Sequence, residues 1–419
     1  MNVLGLITEY NPFHNGHLYH LKESIKETKA THTVAVMSGN FLQRGEPALI
    51  HKWARAQMAV EAGVDLVIEL PTVYACATAE LFAFGSVKLL DKLGIIDSIC
   101  FGSENGNIDL LKEIAEVLVE SPSSFEAQLK SKLDLGLSFP AARGKALTYY
   151  FKEKMIDSPE EANKYSGLVE SPNNILSVEY LKVLRQLKSS ITPHTILRRK
   201  ADYHSTSIAS SITSATAIRE YLYLNNNIQG LTHTLPATSY NILEDSFKVD
   251  IGPVFSRDFQ QAIFTLIRQR GASSLKKIFD VAEGLENRIY HCSLVNDSLH
   301  DLYDCIKSKR YPYTRLQRIM MHLLLGIDKD TLNSFNEAGG PQYIRILAFN
   351  DKGRQILKLC KENSTLPVIN KVPQFNGDPL AEKMLDIDIR ATNIYTLGMK
   401  KKDLVKQQLD YAFSPIYVR

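Results

Sequence analysis

The sequence predicts an α/β fold in which a doubly wound parallel sheet is followed by a mainly α-helical second half. Over residues 1–225, short runs rich in Val, Ile and Leu alternate with stretches of helical periodicity, which is typical of a parallel sheet covered on both faces. Turn-forming residues then dominate 226–255. From residue 256 onward the apolar residues recur mainly with helical spacing.

The elements of the first half follow in order from these patterns. Short apolar runs predict the strands Val3–Ile7, Thr33–Met37, Leu66–Leu70, Ser98–Phe101 and Thr195–Arg198. Helical spacing between them predicts the helices Leu18–Glu27, Lys52–Ala62, Ala79–Leu93 and Asn174–Leu187. We therefore expect a sheet domain over residues 1–225 with a helical insertion or lid near 120–170, a linker over 226–255 and a helical domain over 256–419.

Composition limits the class of protein and the partners it can have. Apolar residues make up 44% of the chain and charged residues 23%, as in soluble globular proteins. No uncharged run reaches the roughly 18 residues that cross a membrane, and no secretory leader is evident, so we expect a cytoplasmic protein without a membrane partner. Five scattered cysteines without Cys-x-x-Cys spacing predict reduced thiols: Cys76, Cys100, Cys292, Cys305 and Cys360.

The segment His14-Asn15-Gly16-His17 lies between the first strand and the first helix. In a doubly wound sheet this loop binds phosphate, because the helix N-terminus offers free N–H groups and a favourable dipole. Two imidazoles add donors there, and Gly16 allows close approach. The spacing alone also fits a surface pair or metal ligands. A zinc site is less favoured, because no Glu separates the histidines as in His-Glu-x-x-His and no Cys cluster is nearby.

Polar loops follow the other strands and should line the same edge of the sheet. They are Ser38–Pro47, which carries one arginine, Glu69-Leu70-Pro71, and Gly102–Gly106. Each loop alone is also an ordinary turn. Later, hydroxyl residues precede a helix that contains Arg219, so Ser214 or Thr216 is expected as its N-cap. Whether these hydroxyls hold phosphates or only cap the helix stays open at this point.

Together these segments resemble a known family. His14–His17 with Ser214–Arg219 is similar to the HxGH and (S/T)xxxxR signatures of the nucleotidylyltransferase superfamily, whose domain is Rossmann-like (HUP-type). The longer segments resemble the bacterial tRNA(Met) cytidine acetate ligase family, and the resemblance extends to the helix at Arg315–Arg318. These segments are Glu9–His17, Met37–Pro47, Phe101–Asn105 and Pro172–Leu176.

The resemblance implies a two-step reaction with ATP as co-substrate. Acetate and ATP would form acetyl-adenylate, and the acetyl group would pass to N4 of the wobble cytidine in the anticodon region of elongator tRNA(Met). It further implies Mg²⁺ and no tightly bound organic cofactor. The alternative is a small-molecule adenylyltransferase of the same superfamily.

The resemblance also assigns residues. It makes His14 and His17 catalytic. It also implies one nucleotide contact from Asn173 or Asn174 and another from Arg198 or Arg199, and the choice within each pair stays open. Ser177 stands where a glycine is expected after Asn-Asn-Ile-Leu. The ATP-binding positions are Ile7, Thr8, Glu9, Tyr10, Asn11, Pro12, Phe13, His14, Asn15, Gly16, His17, Leu18, Tyr19, His20, Gly102, Asn173, Arg198, Arg199, Ser214 and Thr216.

A basic segment in the second half suggests where RNA would bind. Between residues 307 and 318 it combines two tyrosines, Tyr311 and Tyr313, with cationic residues and no acid. Cations can meet phosphates while tyrosines stack on unpaired bases. The alternative is a solvated helix start with the tyrosines in the core. The tRNA-binding candidates are Lys307, Lys309, Arg310, Arg315 and Arg318.

Overall fold

The computed structural model describes residues 1–156, 160, 162, 164–165, 167–198 and 213–419. Its strands are β1 (Val3–Thr8), β2 (His32–Ser38), β3 (Phe41–Leu42), β4 (Glu46–Pro47), β5 (Leu66–Leu70), β6 (Ser98–Ser103), β7 (Thr192–Leu197), β8 (Ile344–Phe349), β9 (Val368–Ile369) and β10 (Ile416–Tyr417).

Helices of the first half are α1 (Asn15–Thr28), α2 (Lys52–Glu61), α3 (Thr72–Ala75), α4 (Ala79–Leu93), α5 (Ile108–Glu120), α6 (Ser123–Asp134), α7 (Phe139–Lys154), α8 (Pro172–Leu187) and α9 (Ala215–Asn225). Those of the second half are α10 (Ala237–Lys248), α11 (Gln260–Leu275), α12 (Leu285–Val295), α13 (Leu299–Ile306), α14 (Tyr313–Leu325), α15 (Lys329–Glu337), α16 (Asp351–Asn363), α17 (Pro379–Leu397) and α18 (Leu409–Ala412).

A single large sheet organises the chain in the order β10-β8-β5-β2-β1-β6-β7. The five strands from β5 to β7 are parallel, as the sequence predicts. Strand order reverses beside β1, because β2 lies on one side of it and β6 on the other. In open α/β sheets ligands bind in the crevice at such a switch point, outside the carboxyl ends of the strands. The fold class predicted from the sequence is confirmed.

The sheet is buried on both faces, which explains the near-continuous apolar runs that predicted it. All five residues of β5 are buried, and Val3, Leu4 and Leu6 of β1 belong to the same core. Helix α1 ends at Lys29, which adopts the left-handed conformation and donates its N–H to the Ile25 carbonyl. The chain can therefore turn back directly into β2.

The second half is mainly helical, as expected, but it also contributes to the sheet. β8 pairs antiparallel with β5, and β10 pairs parallel with β8. The sequence analysis did not predict these strands. Nor are residues 226–255 an extended linker, since they contain α10, which packs on α2 and buries Leu243. The insertion predicted near 120–170 contains α6 and α7, which pack against each other.

The cysteine prediction is wrong for two residues. Cys292 of α12 and Cys305 of α13 form a disulfide. Cys76, Cys100 and Cys360 are free and buried, as a reduced thiol would be. Among the described residues, no helix combines the length and apolar character needed to span a bilayer.

Candidate active site

The two motif histidines stand at the N-terminus of α1, beside the switch point. His14 is the N-cap, and its Nδ1 accepts a hydrogen bond from the Gly16 N–H at 3.0 Å. Because Nδ1 accepts, this arrangement assigns the ring proton to Nε2, which remains a donor for a ligand. The His17 Nδ1 lies 3.4 Å from the backbone nitrogen of His14, and the two rings stack with their centroids 3.8 Å apart.

Burial keeps these rings neutral. It lowers the pKa of His14 to about 3 and that of His20 to about 4, with the Arg198 charge as the second cause in both cases. The pKa of His17 falls well below its ordinary value, through burial and then through His14. At pH 7 the site therefore offers neutral N–H donors, and a bound polyanion would meet Arg198 as the nearby fixed positive charge.

Four separate segments meet at the β1–β6 crevice. A Cβ atom added to Gly102 at the end of β6 would lie 3.0 Å from Cγ of Arg198 and 3.8 Å from Cδ2 of His20. Arg198 follows β7 and donates from Nη1 to Oδ1 of Asn173 at 2.7 Å. Thus the predicted residues His20, Gly102, Asn173 and Arg198 come together, although they are distant in sequence. Arg199 lies outside the described residues.

The structure distinguishes the two asparagines. The Asn174 side chain is buried, and its Oδ1 accepts the backbone N–H of Glu104 at 2.9 Å. The Glu104 carboxylate in turn accepts the Asn174 N–H at 2.8 Å and an Asn173 side-chain N–H at 2.6 Å, at the start of α8. Asn174 therefore fixes the loop after β6, whereas Asn173 bonds to Arg198. This arrangement favours Asn173 as the ligand contact, and the assignment stays a prediction.

Not every residue between Ile7 and His20 is placed to touch a nucleotide. The Asn11 Oδ1 accepts the Leu49 N–H at 2.7 Å, and the buried rings of Tyr10 and Phe13 pack with centroids 4.7 Å apart. Asn15 donates from Nδ2 to the His233 carbonyl at 2.9 Å. These side chains hold the loop in shape, and binding through His14, His17 and the loop backbone stays a prediction.

The loop after β2 is fixed by a buried arginine that the sequence analysis missed. Arg55 of α2 is fully buried and donates to the carbonyls of Glu9 at 2.5 Å, of Ser38 at 3.0 Å and of Gly39. An arginine inside the mainly apolar stretch Trp53–Val60 was the available signal. It ties the ends of β1 and β2 together just outside the sheet.

Gly45 completes this loop. The segment turns back at Leu42–Gly45, where the Gly45 N–H donates to the Leu42 carbonyl at 2.9 Å. Gly45 has φ +78, and a Cβ there would lie 2.2 Å from the backbone nitrogen of Arg318. Only glycine fits both the backbone conformation and the contact with α14. We call Leu42–Gly45 the β3–β4 turn.

The segment Ser214–Arg219, which resembles the second superfamily signature, makes contacts that stabilise the fold. Ser214 is the N-cap of α9, and its Oγ accepts the Ala217 N–H at 3.2 Å, whereas Thr216 is exposed. Arg219 is buried and bonds through Nη2 to the Glu46 carboxylate at 3.1 Å, which leaves its buried Nη1 without a partner among the described residues. The expected cap is confirmed, and phosphate binding by Ser214 and Thr216 stays a prediction.

Glu69, which lies near the end of β5, is part of a buried ionic network rather than an accessible ligand. Lys52 Nζ lies 2.8 Å from the carboxylates of both Glu69 and Asp410, and Arg345 bonds to the same two acids. All four side chains are almost completely buried. Since each charge has an opposite partner, this network holds α2, β5, β8 and α18 together.

The basic segment over residues 307–318, which continues into α14, contains cations with and without an ion pair among the described residues. Arg315 and Arg318 approach the Asp280 carboxylate at 3.5 and 3.6 Å, and Arg310 pairs with Glu283 at 2.7 Å. Lys307 and Lys309 are exposed, and no ion pair of theirs occurs among the described residues. Tyr311 is buried against the Arg315 guanidinium, which agrees with the alternative that places this tyrosine in the core.

Known proteins are similar to this chain over its whole length. The family described as HIGH Nucleotidyl Transferase matches residues 1–410. The tRNA(Met) cytidine acetate ligase of Alkaliphilus metalliredigens is 51% identical over 419 residues, covering 100% of this chain and 99% of that protein. That of Clostridium perfringens is 44% identical over 420 residues, covering 100% of each.

Solved structures agree. Thermotoga maritima TmcAL bound with alpha-thio ATP has a TM-score of 0.92 and 37% identity, and the apo protein has 0.93 and 38%; each comparison covers 100% of both chains. These matches confirm the resemblance given by the motifs. The chain therefore belongs to the HIGH nucleotidyl transferase family and, within it, to the tRNA(Met) cytidine acetate ligases.

Proposed function

We propose that this chain is an ATP-dependent ligase that makes N4-acetylcytidine at the wobble position of elongator tRNA(Met), using free acetate. The observation that carries the proposal is the stacked pair of neutral histidines at the N-terminus of α1, which lies beside the switch point with Arg198, Asn173 and Gly102. Full-length similarity to proteins of that name supports the choice of substrates.

In the first step an acetate oxygen attacks the α-phosphorus of ATP, the bond to the bridging oxygen breaks, and pyrophosphate leaves. Negative charge grows on the phosphoryl oxygens during this displacement, so fixed donors accelerate it. The Nε2 proton of His14 is a suitable donor, the dipole of α1 adds positive potential at its N-terminus, and Arg198 supplies positive charge. Because the histidines are neutral, they would act as hydrogen-bond donors without adding charge, and the positive charge would come from Arg198.

In the second step the cytidine N4 attacks the acetyl carbonyl, AMP leaves and N4 loses a proton. The RNA would be held by the helical half, where Lys307 and Lys309 are exposed cations. A tRNA substrate is in keeping with a cytoplasmic protein. The described residues include no group of three or more His, Cys, Asp or Glu that could hold a metal ion, so Mg²⁺ as a companion of ATP stays a prediction.

The experiment is mass analysis of nucleosides after incubating the protein with ATP, labelled acetate and unmodified tRNA. We expect labelled N4-acetylcytidine at the wobble position of elongator tRNA(Met) and one AMP released for each acetyl group. The alternative, a small-molecule adenylyltransferase, would instead leave AMP in a stable product and the tRNA unlabelled. That outcome would refute the proposal.

A further inference from the structure

The β3–β4 turn presents an arginine that the structure leaves unused. Arg44 occupies the third position of the turn and is exposed, and it makes no hydrogen bond or ion pair with any described residue. The turn itself is held firmly, because the neighbouring Gln43 N–H donates to Oε1 of Glu9 at 2.8 Å and Gly45 packs on the backbone of α14. Arg44 is thus an exposed cation, without an ion pair among the described residues, on a turn whose backbone is held in place.

The other cations around this loop each have at least one hydrogen-bond or ion-pair partner. Arg55 donates to backbone carbonyls, and Arg219 pairs with Glu46. Lys52 lies in the buried network, and Arg318 pairs with Asp280. Within the part of the chain that the structure describes, Arg219 keeps a buried Nη1 without a partner, whereas Arg44 is exposed and accessible to an outside anion.

Arg44 also lies within electrostatic range of the adenylation site. Burial lowers the pKa of Arg198, Glu104 opposes that effect, and Arg44 lowers this pKa further because the two guanidinium charges repel. Repulsion between two like charges is relieved when an anion binds near both of them. The place where acetate must meet the α-phosphate would contain two anions, so it needs positive charge from both sides.

The sheet topology separates the two substrates. The β1–β6 crevice, with Gly102, Asn173 and Arg198, suits the nucleotide. The turn lies on the other side of β1, because it follows β2 and bonds to Glu9 at the end of β1. A second substrate that approaches the α-phosphate from this side passes Arg44.

We propose that Arg44 binds the carboxylate of acetate and orients it toward the α-phosphate of ATP. Acetate consists of a carboxylate and a methyl group, and a guanidinium can bind a carboxylate through two parallel hydrogen bonds. One carboxylate oxygen forms the new bond to phosphorus as the bond to pyrophosphate breaks, and no proton is transferred. The other oxygen keeps its bond to Arg44 and becomes the carbonyl oxygen of acetyl-adenylate. This assignment rests on the proposed function.

The test is ATP–pyrophosphate exchange without tRNA, using Arg44→Ala and Arg44→Lys. Loss of a charge-assisted hydrogen bond predicts that Arg44→Ala raises the KM for acetate about tenfold or more at saturating ATP, while the KM for ATP changes less than about threefold. Arg44→Lys should lie between, because an ammonium keeps the charge but loses the paired geometry. Added guanidinium should partly restore acetate use by Arg44→Ala. Arg270→Ala is the matched control, since Arg270 is exposed and distant in sequence from the site.

The outcomes separate the two proposals. A wild-type protein without acetate-dependent exchange would refute the proposed function. If the wild type is active, an unchanged KM for acetate in Arg44→Ala refutes the acetate site, and so does a rise confined to the KM for ATP, which would make Arg44 a phosphate contact. A variant with a lowered melting temperature but normal acetate KM in its folded fraction also refutes it.

Discussion

Replacing His14 by asparagine should separate the two roles that the structure gives this residue. Its Nδ1 caps α1 by accepting the Gly16 N–H, while its Nε2 carries the proton available to the phosphate. Asparagine is among the best N-cap residues, and its side-chain oxygen can replace Nδ1. It is too short to replace Nε2. Alanine removes both functions and provides the comparison.

The two effects have different expected sizes. Loss of an N-cap costs about 1 kcal/mol of unfolding free energy, so His14→Ala should be less stable than His14→Asn by about that amount. Removing one donor aimed at developing oxyanion charge costs about 10²- to 10³-fold in rate. We therefore expect both variants to lose acetate-dependent ATP–pyrophosphate exchange by a similar factor.

Urea unfolding and the exchange assay measure the two quantities on the same preparations. Binding of tRNA should stay within a few-fold of wild type in both variants, because the basic segment is remote in sequence and untouched. If His14→Asn keeps exchange within about tenfold of wild type, the catalytic role is refuted. If His14→Asn is as unstable as His14→Ala, the reasoning about the cap is wrong.

Three further outcomes are expected. Burial lowers the pKa of His14 to about 3 and that of His20 to about 4, so these two side chains take up protons below pH 6.5 in the unfolded chain but only near pH 3 to 4 in the folded chain; stability should fall from pH 7 to pH 5 by about 2 kcal/mol for each of these two histidines, and equal stability at the two pH values in urea unfolding would contradict this. Gly45→Ala should lower the unfolding free energy by about 2 kcal/mol or more, because of its positive φ and the contact with Arg318; an unchanged melting temperature would show that the turn yields. Neutralising Lys307 and Lys309 together should weaken tRNA binding and lower its salt-dependence slope by about 2, whereas an unchanged slope would place the RNA elsewhere.

Much of the N-terminal sheet could be predicted from the sequence. β1, β2, β5 and β6 lie where the apolar runs place them, because buried parallel strands need Val, Ile and Leu on both faces. The position of the HxGH segment at the start of α1 followed in the same way. Only β7 was displaced: it spans Thr192–Leu197, where Pro193 and three polar residues hide the strand pattern.

What could not be predicted depends on contacts between distant parts of the chain. β8 has an apolar pattern that a buried helix could equally show, and its antiparallel pairing with β5 joins residues more than 270 positions apart. The roles of Arg315 and Arg318 depend on Asp280, which no local pattern connects to them. A run of cations in a sequence cannot show which of its charges are already paired.

The β3–β4 turn contacts both halves of the chain close to the proposed adenylation site. On one side Gln43 bonds to Glu9 at the end of β1, and on the other Gly45 packs on the backbone of α14. Acetyl-adenylate is a reactive mixed anhydride, so a protein that makes it must bring the accepting cytidine to the place where it forms. The turn that carries Arg44 is fixed both to the end of β1 and to α14, the helix that follows the exposed Lys307 and Lys309, so it lies between the adenylation site and the segment expected to bind RNA.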